Sequence, residues 1–390
     1  MIDPVATLET FIVTLERDTP YLGPLAAGES VNSRGYIVRR GNKTIYPTVD
    51  RSVVVKITTA GGRVGWGETY GICAPAAVCE IIADLLAPTL IGRNPLDAEI
   101  IWEDLYDMMR VRGFFGGFYL DAIAGIDIAL WDLAGKICEQ PLHQLLGGRR
   151  HETLPAYVSG LPEADLDARC TLAKAWVDKG FNSIKFAAVV SHQGIVNEMV
   201  ALREALGPDT NLMVDLHWKF SAAEAIALIR QLESHRLGFA EAPVKPEDVD
   251  GLATVARAVN TPIAAGEEWR TVYEAMPRLK AGAISIIQPE MGHTGVTQFL
   301  RIARLAESFH CRVAPHATIG VGIFMAASLH ASATLKTLTE HEYQHSVFDR
   351  NVQLLSGKMS CRAGAYSLPE GPGLGIEPTD TLWKYAEQYS

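Results

Sequence analysis

Six cysteines, at positions 73, 79, 138, 170, 311 and 361, are scattered through 390 residues with no C-x-x-C pair. In a chain of this length they read as ordinary reduced thiols, which excludes a disulfide framework and a thiolate zinc site. No stretch approaches the roughly 18 uninterrupted apolar residues that a membrane span needs. The opening segment, "MIDPVATLETFIVTLERDTP", lacks the basic start and apolar core of a signal peptide. A soluble cytoplasmic protein is the expectation. Blocks of like charge are also missing, and the formal net charge is −10. Neither nucleic acid nor a membrane is therefore an expected partner. A small anionic substrate remains compatible, because a local cationic pocket can sit within a negative surface.

What is present is enough apolar sequence, 48% of the chain, for a large core. The length exceeds one ordinary domain unless that domain is a barrel with a smaller companion. The first 60 residues read as strands: "VATLETFIVTL" and "RSVVVKITT" are β-branched runs, and "AGGRVGWGETYG" turns one strand into the next. Between the first two lies a long polar segment, Tyr21 to Thr48, of a length that is often functional. From about Ala76 to Leu146 the apolar spacing is helical, and "DAIAGIDIALWDLAGKICEQPLHQLLGG" ends at a glycine pair.

After Leu154, short apolar runs alternate with helical stretches: "LPAYVSG", "SIKFAAVV", "LMVDLH", "GFAEAP", "PIAAGE", "AISIIQPE", "CRVAPH" and "EYQHSVF". Such alternation marks βαβ units and a parallel sheet, and eight units over about 200 residues point to a (β/α)8 barrel. A doubly wound sheet fits the alternation nearly as well, but no G-x-G-x-x-G follows the first strand. The expected division is 1–150 for an N-terminal unit, 151–360 for the barrel and 361–390 for a segment returning to the first unit.

The C-terminal ends of these strands carry ionisable groups: Asp215 and His217, Glu241, Glu267 and Glu268, Glu290, His316. Lys185 lies in the second strand. A barrel gathers such ends on one face. One acid at a strand end is ordinarily a cap or a solvated loop residue, whereas five consecutive strands ending this way form a constellation. Carboxylates packed together repel unless a cation neutralises them. Oxygen ligation by Asp215, Glu241 and Glu267 favours a hard ion, Mg2+ first and Mn2+ second, over zinc.

The spaced ensemble "GIDIALWDLAGK", "VDLH", "AEAP", "GEEW", "QPEMGHTG", "PHATIG", "HEYQ" and "LPEGPGLGIE" resembles the enolase superfamily. Within it the chain is most similar to the mandelate racemase group and its acid-sugar dehydratases. The resemblance covers essentially the whole chain and implies an N-terminal α+β capping domain on a modified TIM barrel. It also implies magnesium on Asp215, Glu241 and Glu267, and removal of the proton α to a substrate carboxylate.

Racemases of the group carry K-x-K in the second strand; here the stretch is Lys185-Phe186-Ala187, so a second lysine base is absent. The resemblance instead implies His316, oriented by Glu290, as base and His217 as the acid that protonates a departing hydroxyl. Lys185 and Glu342 would contact the substrate carboxylate, Glu342 in a form that can be protonated. Arg34 and Tyr36 would reach substrate from a lid spanning 21–48, and Glu268 and His293 are further candidates. Each also has a plain reading as a packed or solvated residue. The implied activity is dehydration of an acid sugar. An epimerase or lactone cycloisomerase, or a barrel that binds metal and ligand without turnover, stays open. The resemblance also implies a homo-oligomer.

Overall fold

The computed structural model describes residues 3–18, 20–112, 116–317 and 320–389; Thr318 and Ile319 of "PHATIG" lie outside them. The N-terminal unit begins with β1 (Val5–Leu15), β2 (Tyr36–Val38), β3 (Ile45–Pro47), β4 (Asp50–Thr59) and β5 (Val64–Tyr70). β4 pairs antiparallel with both β1 and β5. Alternate residues of β4, Val53, Val55 and Ile57, share a core with Ile101, Leu105, Ile123, Ile126 and Leu130 of the helices Ala98–Arg110 and Gly117–Ile137. The second helix is buried on nearly every side, which is the position of a helix that is apolar all round. It lies close enough to β5 that a Cβ on Gly67 would stand 1.9 Å from the Gly125 carbonyl oxygen.

The barrel strands are β6 (Thr153–Ser159), β7 (Ser183–Ala187), β8 (Asn211–Asp215), β9 (Leu237–Glu241), β10 (Ile263–Ala265), β11 (Ile286–Ile287), β12 (Arg312–Val313) and β13 (His341–Tyr343). Neighbours pair in parallel in sequence order from β6 to β12, and β13 returns to pair in parallel with β6. Side chains alternate faces with period two. Val158, Ile184, Leu212, Val214, Ile263, Ile287 and Val313 belong to the large cluster shared with the surrounding helices. Tyr157, Met213, Phe239, Ala264 and Ala314 form a separate small cluster, the filling of the barrel. Two residues further on the same face come Ser159, Asp215, Glu241 and His316. Strand periodicity therefore carries the polar groups to one rim.

The C-terminal segment is divided between the two units. The strand Ala365–Ser367 pairs antiparallel with the start of β6, and the strand Ser360–Arg362 pairs with it in turn. Only Ala386–Tyr389 joins β1 of the N-terminal sheet. Ahead of that strand Gly373 bonds with Gln140 and Leu142, the Leu374 N–H donates to Asp132, and Glu377 accepts from Lys136 and Trp66, so the segment meets the first unit at several points while its hairpin adds to the barrel sheet.

Candidate active site

Asp215, Glu241 and Glu267 each offer a carboxylate oxygen, and the three oxygens lie within 4.8 Å of one another. Asp215 and Glu241 are register partners on adjacent strands. Glu267 follows Gly266, whose φ of 132° takes the chain out of strand geometry just after β10. A side chain at 266 would press on the Trp269 ring at 2.9 Å. Glycine there lets the backbone turn Glu267 inward, out of the alternation that sends Ala265 to the helices.

Lys185 is buried between two acids, Nζ lying 2.6 Å from Glu241 Oε2 and 3.1 Å from Glu342 Oε1. His316 Nδ1 lies 2.7 Å from Glu290 Oε2, while its Nε2 is 3.1 Å from Glu267 Oε2 and 3.6 Å from Glu342 Oε2. His217 folds over the first acid: its backbone N–H donates to Asp215 Oδ1 at 2.9 Å, and Nε2 stands 3.1 Å from Asp215 Oδ2. His217 and Trp218 are both left-handed, with φ of 49° and 52°, an unusual pair of consecutive non-glycine residues in that region.

Burial dominates the electrostatics. It raises Asp215 to about 6, and raises Glu241 and, further, Glu267. It lowers His217 to about 4. At Glu342 burial, which alone would raise it, is outweighed by Lys185 and His316, and the carboxyl falls to about 2. That direction favours the ionised form of Glu342, where the resemblance permits a protonated acid. At His316 burial opposes the charge, but Glu267, Glu342 and Glu290 outweigh it and hold the imidazole well above its ordinary value. The two histidines are therefore pushed in opposite directions, because burial dominates at His217 while the surrounding carboxylates dominate at His316.

Five carboxylates (Asp215, Glu241, Glu267, Glu290, Glu342) face one ammonium and one imidazolium in this cluster. Glu241 Oε1 is buried without a hydrogen-bond partner among the described residues. An all-oxygen donor set with surplus negative charge and an unsatisfied buried oxygen fits a hard divalent cation. Zinc would look first to His341-Glu342-Tyr343-Gln344-His345, which spells H-E-x-x-H, a run that the expectation of a hard ion passed over. That motif needs a helix to bring its histidines together, and here it is β13 and the turn after it. His341 lies 2.8 Å from Ser328 Oγ, and His345 lies 3.0 Å from the Gly160 carbonyl.

The cluster opens into a cavity of about 520 Å³ lined by both units, with Lys185, Asp215, His217, Glu267, Glu268, His293, His316 and Glu342 among its walls. Arg34 and Tyr36 do not line it. Arg34 is exposed. The Tyr36 hydroxyl accepts from Arg51 Nη1 at 2.9 Å and from the Ala74 backbone N–H at 3.1 Å. The loop's basic residues serve its own wiring: Arg39 is buried and donates to the Tyr21, Gly23 and Pro24 carbonyls and to Glu29. The segment still reaches the cavity, through Tyr21 and Tyr46. Sequence reasoning also missed Ser159, Tyr70 and Arg270. The strand-end rule applied to β6 and β5 finds Ser159 and Tyr70; Arg270, three residues beyond a ligand candidate, carries no such signal.

Residues 43–147 match the N-terminal domain of mandelate racemase / muconate lactonizing enzyme, and residues 168–382 match an enolase C-terminal domain-like unit. The chain belongs to the mandelate racemase / muconate lactonizing enzyme family of the enolase superfamily. D-galactarolactone cycloisomerase from Agrobacterium fabrum is 34% identical over 83% of this chain and 88% of its own length. D-galactonate dehydratase from Ralstonia nicotianae is 33% identical over 87% of this chain and 92% of its own. A solved enolase superfamily member from Agrobacterium tumefaciens is 52% identical, with a TM-score of 0.97 over 100% of both chains. A racemase from Streptomyces coelicolor, solved with bound magnesium, is 26% identical, with a TM-score of 0.84 over 98% of this chain and 100% of its own.

Proposed function

We propose that the protein is a magnesium-dependent enzyme that dehydrates a polyhydroxy acid to a 2-keto-3-deoxy acid. The observation that carries this reading is the His316–Glu290 pair, at 2.7 Å, sharing one cavity with His217 and the three-carboxylate cluster. Asp215, Glu241 and Glu267 would hold the ion. When bound, a hard cation stabilises the negative charge that develops on a substrate carboxylate as its α-proton leaves.

The chain's own groups divide the rest of the work. Glu290 accepts the Nδ1–H of His316 and so leaves Nε2 as the atom that takes the α-proton. Glu267 and Glu342 raise His316, and a cation held by Glu267 would weaken that hold and favour the free base. Lys185, fixed by Glu241 and Glu342, places a positive charge beside the substrate carboxylate. His217, in the protonated form that burial disfavours, would donate the proton with which the 3-hydroxyl departs as water, and the resulting enol tautomerises to the keto acid. Tyr21 and Tyr46 of the 21–48 segment line the cavity that holds the polyol, and a closed cavity limits the water that competes for those groups.

The 34% identity to a galactarolactone cycloisomerase supports a second reading, β-elimination that opens a lactone ring. There the leaving group is a carboxylate, which departs without a proton from His217. The deciding experiment incubates the purified protein with magnesium and a panel of aldonic acids, aldaric acids and their lactones, followed by mass spectrometry. Dehydration removes the mass of one water and depends on His217. Cycloisomerisation leaves the mass unchanged and survives His217→Asn. Turnover of no member of the panel contradicts both.

A further inference from the structure

The cavity holds a second imidazole–carboxylate pair that the chemistry above does not use. His293 Nδ1 lies 2.7 Å from Oδ1 of Asp121, a residue of the N-terminal helix Gly117–Ile137. The same carboxylate receives Nε of Arg270 at 2.9 Å and Nη2 at 3.2 Å. Arg270 also donates through Nη1 to the Glu268 carbonyl at 2.9 Å. The imidazole stacks on Tyr70, the last residue of β5, with centroids 3.9 Å apart and planes 12° from parallel. Its rotation is therefore fixed from both units. His293 is 14% exposed and lines the cavity, and its Nε2 has no hydrogen-bond partner among the described residues.

The chemistry of the pair dictates the tautomer. An ionised carboxylate only accepts, so a neutral His293 beside it must carry its proton on Nδ1. Asp121 is held low against burial, and the Arg270 guanidinium, which donates to both of its oxygens, favours the carboxylate even beside a neutral His293. Burial and the Arg270 guanidinium oppose a second proton on His293. The nitrogen left facing the cavity is then a lone pair, suited to a donor such as a sugar hydroxyl. Glu268, whose carbonyl holds Arg270, lines the same cavity.

We propose that His293 presents Nε2 as the acceptor for one hydroxyl of the substrate, away from the reacting carbon, with Asp121 as the positioning residue that fixes this tautomer. The proposal rests on the acid-sugar reading and narrows it to substrates bearing a free hydroxyl at that position. It also makes the capping unit a determinant of specificity through a carboxylate that touches no substrate.

The test combines a spectroscopic and a kinetic readout on the magnesium-loaded protein. Nitrogen-15 NMR of histidine-labelled protein, with His293 assigned by its loss in His293→Gln, is expected to show protonated Nδ1 and unprotonated Nε2. Asp121→Asn, whose amide can donate, is expected to reverse that pattern. On an acid sugar that is turned over, Asp121→Asn should lower kcat/KM by about 10- to 100-fold, the size of a misdirected buried hydrogen bond. The loss should vanish on the monodeoxy analogue lacking the hydroxyl concerned. His293→Gln, which keeps an acceptor near the Nε2 position, should retain more activity than His293→Asn.

Protonated Nε2 in the parent protein, or equal losses on every analogue, overturns the proposal. If no acid sugar is turned over, the acid-sugar reading fails by itself, and the tautomer measurement still decides whether Asp121 holds Nε2 as an acceptor. Should Asp121→Asn not fold, the parent spectrum and the Gln-to-Asn comparison at 293 carry the test.

Discussion

Asp215 has two tasks that compete for its oxygens. One oxygen receives the His217 backbone N–H at 2.9 Å, closing a turn that holds His217 and Trp218 left-handed, and the other faces the imidazole. The turn keeps a histidine within reach of the carboxylates: the Asx-type bond holds the His217 N–H while the Leu216 and Trp218 N–H groups still donate to the Glu241 and Ala242 carbonyls. His217→Asn is expected to abolish loss of water while α-proton exchange in deuterated solvent continues. Continued dehydration without exchange contradicts its role. His316→Asn should lower kcat by at least about 10²-fold, the ordinary scale of a lost general base. Magnesium affinity, read by calorimetry, should be unchanged, because His316 is not among the three proposed ligands.

At the scale of elements, the helix Gly117–Ile137 joins the two units. Three of its buried acids leave the helix for different destinations. Asp121 meets Arg270 and His293, Asp127 accepts from the Thr297 backbone N–H and hydroxyl, and Asp132 accepts from the backbone N–H groups of Trp66 and Leu374. Each bond satisfies a buried charge or backbone group, and together they index cap, barrel and tail to one rod. Close contact with β5 depends on Gly67. Gly67→Ala would place a methyl against the Gly125 carbonyl and should destabilise the fold by about 1–3 kcal/mol or more, read as a lower urea midpoint. An unchanged midpoint contradicts this packing.

For the whole molecule, acid is the expected weak point. His143 and His330 are buried with Nδ1 atoms 2.9 Å apart, and His330 Nε2 lies 3.2 Å from the Leu374 carbonyl, so the pair bridges the end of the N-terminal unit, the barrel and the tail. Burial lowers both, His330 to about 4. A histidine with a depressed folded value stays neutral where the unfolded chain already binds a proton. Its stabilising contribution is therefore complete above pH 6.5 and is lost as pH falls toward about 4. For His330 this amounts to roughly 3 kcal/mol across that window. Denaturant midpoints between pH 7.5 and 4.5 should fall steeply in the parent and less in His330→Asn, and parallel profiles refute the assignment. Metal removal is the complementary stress. A chelator should abolish turnover, and magnesium should raise the melting temperature, because the ion neutralises carboxylates that only the folded state brings together.

Periodicity made much of this legible before any coordinates. β1 is the run "VATLETFIVTL" without a residue's difference. The barrel follows from short apolar runs alternating with helices, and the strand-end acids follow from the period-two face that also carries Tyr157, Met213 and Phe239. Those features are local, and local backbone geometry decides them. What the chain order could not reveal is which distant groups meet. Arg34 and Tyr36 looked like lid contacts because their loop is long and basic, yet Arg34 is exposed, Tyr36 is held by Arg51 and Ala74, and Arg39 and Arg40 donate to the loop's own carbonyls. Asp121 carries no signal in the sequence, because 172 residues separate it from the imidazole it holds. The protonation of His217 and His316 was equally unreadable, since it depends on how completely each is buried and how many carboxylates surround it. Side-chain identity and periodicity set the chemistry on offer, while desolvation and pairing, which exist only after collapse, settled what each group does.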